Sequence, residues 1–136
     1  VGLFNFWKTS GKKVADEPTA DSLKKEVADL GLDAKGLDIS IVGDKVKIKG
    51  DAVSKEIREK VILAVGNVAG VAEVEDDAAD EAVFHTVEAG DTLSAVAKKT
   101  LGNANRYTEI FEANKPMLSH PDKIYPGQVL RIPQGD

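Results

Sequence analysis

The sequence predicts an α+β protein, and three observations carry that expectation. Two short runs alternate apolar and polar residues on either side of Gly43-Asp44. Several stretches repeat apolar residues at helical spacing and stop at glycine. A last stretch orders strand, helix, helix and strand.

In the first half, Thr19 or Asp21 caps a helix whose Leu23, Val27 and Leu30 fall at i, i+4 and i+7 before Gly31 ends it. Leu37, Ile39 and Ile41 alternate with Asp38 and Ser40 as a half-buried strand. Gly43-Asp44 is a two-residue hairpin turn, and Lys45 to Lys49 alternate back. Ser54 caps a second helix with Ile57, Val61, Ala64 and Val65 inward; Gly66 ends it, and Val71 to Glu75 form a third strand. Ahead of these elements, Leu3, Phe6/Trp7 and Val14 share one helical face, interrupted at Ser10-Gly11. Residues 1–18 are therefore expected as an N-terminal helical segment. Lys8, Lys12 and Lys13 flank its aromatics, so a helix lying on a membrane surface is one reading. The acidic charge of the adjoining residues and the shortness of the helix favour docking on the protein instead.

In the second half, Phe84 to Val87 form a strand broken by Glu88-Ala89-Gly90. Asp91 or Thr92 caps a helix carrying Leu93, Val96, Ala97 and Leu101, which Gly102 stops. Asn103 or Asn105 caps another, with Tyr107, Ile110 and Phe111 on one face. Pro126-Gly127 suits the centre of a type II turn, and Val129 to Ile132 close as a strand.

Charge divides the chain as well. Of the net −5 from 18 basic and 23 acidic residues, none comes from Val83 onward, where the two signs balance. Residues 73–82 hold Glu73, Glu75, Asp76, Asp77, Asp80 and Glu81 among small residues, which reads as a solvated linker. The expected division is residues 19–76, an acidic linker at 77–82, and residues 83–136. An acidic chain does not suit nucleic acid, which needs a basic face. With no cysteine, disulfides and thiolate metal sites are excluded. No apolar run is long enough to span a bilayer, and the opening residues do not resemble a signal peptide, so a cytoplasmic protein is expected.

The run Phe84-His85-Thr86-Val87-Glu88-Ala89-Gly90-Asp91-Thr92-Leu93-Ser94, closing on Tyr125-Pro126-Gly127-Gln128-Val129-Leu130-Arg131-Ile132-Pro133, resembles the LysM domain. That module recognises glycans, and the resemblance implies a groove between Gly90, Asp91, Thr92 and Leu93 and the loop from Met117 to Tyr125, Ile124 included. The helix-strand-strand-helix-strand order, with Gly50 after the hairpin and Val65-Gly66-Asn67-Val68-Ala69-Gly70-Val71 after the helix, resembles the BON domain. Gly2-Leu3-Phe4-Asn5-Phe6 ahead of both makes the whole chain similar to the bacterial potassium binding protein family. The resemblance implies a soluble cytoplasmic protein that takes potassium as its ion and changes conformation with it. A monomer is expected, with no enzymatic activity.

Potassium is large and weakly hydrated, and suits several neutral oxygens such as backbone carbonyls. The end of the second helix supplies carbonyls at the negative end of a dipole, and its glycines let the chain curl. Local sequence also fits an ordinary glycine-terminated helix running into a strand. The resemblance points to the main-chain carbonyls of Gly66, Val68 and Val71, joined by Trp7 and Ser10 from the N-terminal segment. Other candidates carry less. His85 and His120 have no ligand spacing, Gly66-x-x-x-Gly70 lacks the context of a phosphate loop, and nothing on a linker would hold Asp76-Asp77 as a working pair. The alternative function is a peptidoglycan or N-acetylglucosamine-binding module of the envelope stress response.

Overall fold

The computed structural model describes residues 2–6, 19–52, 54–68, 70–76 and 83–133. It is α+β, with helices packed on two small sheets. Strand β1 (Gly2–Asn5) precedes helix α1 (Ala20–Asp29), the hairpin β2 (Leu37–Val42) and β3 (Lys45–Gly50), helix α2 (Lys55–Gly66) and β4 (Glu73–Asp76). The second half holds β5 (Phe84–Thr86), α3 (Leu93–Leu101), a 3-10 turn over Ala104–Arg106, α4 (Tyr107–Ala113) and β6 (Val129–Arg131).

The first sheet has four strands in the order β1-β4-β3-β2; β3 and β4 are parallel and the other pairs antiparallel. Its hairpin turns on Gly43, whose φ of 66° is positive while Asp44's is not, the pattern of a type II′ turn. Ile39, Val46, Ile48 and Val74 are buried beneath α1 and α2. Lys45 and Lys47 stand on the opposite face and pair across the strands with Glu73 and Glu75, each at 3.2 Å. Thr19, the first of the two candidate caps, caps α1: its Oγ1 accepts the Ser22 N–H at 3.1 Å while its own N–H donates to Ser22 Oγ at 2.8 Å. Ser54 Oγ accepts from Ile57 at 3.1 Å and caps α2. From Arg58 to Gly66 every residue of α2 is buried, because it packs against α1, the sheet and the second half together.

Two expectations are corrected here. Gly2–Asn5 is a strand and not a helix: Gly2 faces Asp76 and Asn5 faces Glu73 along β4. Leu3 is exposed while Phe4 and Phe6 turn inward, a period of two that the Leu3–Phe6 spacing disguised as a helical face. A sheet edge offers this short segment a full set of backbone partners, whereas an isolated helix of that length has a costly nucleus. Trp7, Ser10 and Val14 lie outside the described residues. The second correction concerns Asp76, read as part of a solvated run. It ends β4 fully buried, in an ion pair with Arg58, whose other guanidinium nitrogen donates to the Gly50 carbonyl.

The second half packs α3 and α4 on the antiparallel pair β5–β6 around Val87, Leu93, Val96, Ile110, Leu118, Leu130 and Ile132. Thr92 caps α3 and Gly102 ends it at φ 80°. Asn103 caps the 3-10 turn that leads into α4. The Pro126-Gly127 turn closes with Gln128 N–H on Tyr125 O at 3.1 Å, and Gly127 has a φ of 91°.

The halves meet along β6. Leu130 and Ile132 face the second core, while Val129 joins the first and Arg131 reaches Glu59 of α2 at 2.8 Å. Phe84 and Met117 also pack on the first core, and the Phe4 and Phe84 rings lie 4.9 Å apart.

Candidate functional site

The connection from α2 to β4 is a tight turn whose shape follows from its backbone bonds. Asn67 N–H still reaches Leu63 O at 3.0 Å, Val68 bonds Val65 O at 3.3 Å, and Val71 bonds Val68 O at 3.2 Å. The turn is then tied to its surroundings: Ala72 N–H bonds Asp44 O and Ala72 O accepts the Phe6 N–H, both at 2.8 Å. Gly66, Val68 and Val71 are thus brought together, with both valine side chains buried. A carbonyl oxygen has two acceptor positions, so the Val71 bond leaves the Val68 oxygen with capacity for a second partner.

Gly66 ends the helix as expected, and its φ is not positive. It is the last residue of α2, and the left-handed position is Gly70, at φ 93°. Gly66 is needed for space, because a Cβ there would come within 2.5 Å of three atoms at the edge of the buried Phe6 ring. The Phe6 ring on Gly66 and the Phe6–Ala72 bond hold Phe6 directly beside the turn.

Asn67 was not foreseen as a functional residue. Its Nδ2 donates to Val129 O at 3.0 Å and its Oδ1 accepts the Val129 N–H at 2.9 Å. Nothing in local sequence marks this, since the partner lies on a different sheet. Asn67, Leu30 and Leu63 on one side and Met117, Tyr125 and Gln128 on the other line a junction pocket of about 260 Å3. Burial raises the pKa of the Tyr125 phenol there.

In the second half, Gly90 turns at φ 87° into Asp91, whose carboxylate is engaged on three sides. It accepts the Glu88 N–H at 2.9 Å, lies 3.3 Å from His85 Nε2 and 3.6 Å from Lys99 Nζ. The Glu88 amide first, and then His85, hold its pKa below the usual aspartate value. Thr92, Leu93 and Ser94 face Tyr107 and the segment His120–Asp122 across an open groove. Of the candidate glycan contacts, Thr92 and Leu93 line it and Gly90 and Asp91 adjoin it in sequence. Met117 instead packs toward the first core and Ile124 against the second. Leu93 is nearly fully buried, so the groove's polar side chains are those of Thr92, Ser94, Tyr107, His120 and Asp122.

Among the described residues no group of three or more His, Asp or Glu side chains is gathered as for a metal ion, and no helix is long and apolar enough to cross a membrane. The LysM domain model matches residues 85–133. Over nearly its whole length the chain is similar to the potassium binding protein Kbp of Escherichia coli O6:H1, with 47% identity over 148 aligned residues covering 98% of this chain and 99% of that protein. The chain belongs to the potassium binding protein family. It is also similar to an uncharacterised protein of Deinococcus radiodurans, 32% identical over 114 residues that cover 71% of this chain and 44% of that protein. The match to the first covers both halves and the turn between α2 and β4, so family membership is a property of the whole arrangement.

Proposed function

We propose that the protein binds a potassium ion in the turn after α2 and works as a cytoplasmic ion sensor or buffer, without catalysis. The main-chain carbonyls of Gly66, Val68 and Val71 hold the ion, with those of Trp7 and Ser10 completing the shell. The helix-strand-strand-helix-strand half acts as a BON domain carrying the site, and the LysM domain docks against it more firmly when the ion is bound. The observation that carries this reading is the similarity to Kbp along the full chain. The turn supports it on physical grounds. It lies at the negative end of a long buried helix, and neutral backbone dipoles match a large monovalent ion. Carboxylate ligands would favour smaller or divalent ions. The ion acts on a monomer.

Thermal melting in matched chlorides of potassium, sodium and lithium tests the reading. An ion that binds only the folded state raises its stability by mass action, while ionic strength acts alike across the salts. Equal melting temperatures in the three salts, with no heat of potassium binding by calorimetry, would remove it.

A second reading rests on the LysM match and its open groove. Here the groove takes N-acetylglucosamine units of peptidoglycan, as in an envelope module. Retention on insoluble peptidoglycan that is lost on changing Ser94 or His120 would put this reading first. Leu93 is a poor probe because its loss would damage the core.

A further inference from the structure

Residue 67 belongs to the proposed ion-binding turn through its backbone and to the LysM domain through its side chain. Its main chain follows directly on Gly66, and the peptide plane that carries the Gly66 carbonyl also carries the Asn67 N–H. Its side-chain amide leaves the turn and offers one donor and one acceptor to Val129, at 3.0 and 2.9 Å. Val129 sits in β6 with its neighbours Gln128 and Ile132 bonded toward the β5 side, to Val87 and Val83. The Val129 amide and carbonyl therefore face away from β5, and the Asn67 side chain satisfies that edge as a neighbouring strand would.

We propose that Asn67 is the residue that couples ion occupancy to LysM docking. The inference rests on the ion-binding reading above and adds the residue that transmits it. Rotating the Gly66 carbonyl toward an ion turns the peptide plane that enters Asn67 and so re-aims its Cα–Cβ bond. A two-point amide contact tolerates little such movement, since hydrogen bonds weaken steeply with angle. The ion therefore selects the turn geometry in which Asn67 reaches Val129. The contact is only partly buried and borders the junction pocket, so water can replace it when it opens. A second tether, Glu59 to Arg131, springs from the body of α2, where no peptide plane is shared with the turn. It holds the halves together without sensing the ion. Because linkage is reciprocal, the factor by which the ion tightens docking is the factor by which docking tightens the ion.

The experiment compares full-length wild type, Asn67→Ala, Asn67→Asp and Glu59→Gln. Calorimetry gives potassium affinity, and small-angle scattering gives the radius of gyration in matched potassium and sodium chlorides. Wild type is expected to bind potassium and to be more compact in it. Asn67→Ala and Asn67→Asp are each expected to bind roughly fivefold or more weakly and to lose the difference between salts. Glu59→Gln is expected to keep that difference. Asn67→Asp, which retains one of the two bonds, covers the case in which the alanine variant does not fold. Affinity within about twofold of wild type with the salt difference retained in either folded Asn67 variant overturns the proposal. So does a Glu59→Gln protein that loses the difference as the Asn67 variants do. Wild type that binds potassium at one unchanged radius overturns the coupling alone, and wild type that binds none removes the ion-binding reading with it.

Discussion

Gly66 and Asp91 show how single residues in this protein serve packing and electrostatics before they serve any ligand. Gly66 is in right-handed helix, so its hydrogen side chain is required by the Phe6 ring and not by backbone conformation. Gly66→Ala should destabilise the fold by about 1–3 kcal/mol through overpacking. Phe6→Leu removes the ring, so the double variant should lose less than the sum of the two single losses in urea unfolding. Strict additivity would place the clash elsewhere. Asp91 makes a different prediction. Its depressed pKa means that the folded state holds the carboxylate more tightly than the unfolded chain does, so its contribution is fully present above the unfolded value of about 4. That contribution is lost as pH falls through the lower folded value. Asp91→Asn should therefore lower the melting temperature at neutral pH and flatten its decline below about pH 4. A melting profile in acid parallel to wild type would show that the Glu88 and His85 contacts carry no linkage.

At the scale of elements, β6 concentrates what sequence could and could not show. The period of two sends Leu130 and Ile132 one way and Val129 and Arg131 the other, and sequence shows that alternation plainly. It does not show that the second face belongs to another part of the chain, because the partners Asn67 and Glu59 are 62 and 72 positions away. Thr19, Ser54, Thr92 and Asn103 were legible as caps for the opposite reason: each bond closes within three residues of the cap. The turn after α2 was legible as a place, with Gly66, Val68 and Val71 together, but the division of labour between Gly66 and Gly70 depends on Phe6. Strand β1 was misread because edge pairing with β4 is a long-range fact. Asn114 carries the matching prediction within the LysM domain. Its buried amide donates to Ile110 O and Arg131 O, at 2.7 and 2.9 Å, and accepts the Arg131 N–H at 2.7 Å. Asn114→Ala strands these groups and should cost about 1–3 kcal/mol or more in denaturant unfolding. A loss under about 0.5 kcal/mol would mean that water takes over the bonds.

For the whole molecule, the question is whether the two cores unfold together. Each core has its own sheet and its own cap-terminated helices, which argues for separable units. Against that, one strand serves both. Val129 lies in the first core and Leu130 in the second, so opening either core pulls on the same backbone. Phe84 and Met117 add apolar contact across the junction, and the Glu59–Arg131 pair has little exposure on either side chain. Removing one partner of such a pair leaves a desolvated charge behind, which is more damaging than replacing both. Wild type is therefore expected to melt in a single calorimetric transition whose van't Hoff and calorimetric enthalpies agree. Arg131→Met leaves Glu59 facing an apolar surface and should lower the melting temperature sharply. Glu59→Met with Arg131→Met should recover most of that loss while keeping one transition, since the apolar contact remains. Cutting the Asn67–Val129 and Glu59–Arg131 tethers, with Asn67→Ala and Arg131→Met together, should loosen α2 from β6 and separate the transition into two. A double variant that still melts in one step would show that apolar contact across β6 is enough to bind the halves into one cooperative unit.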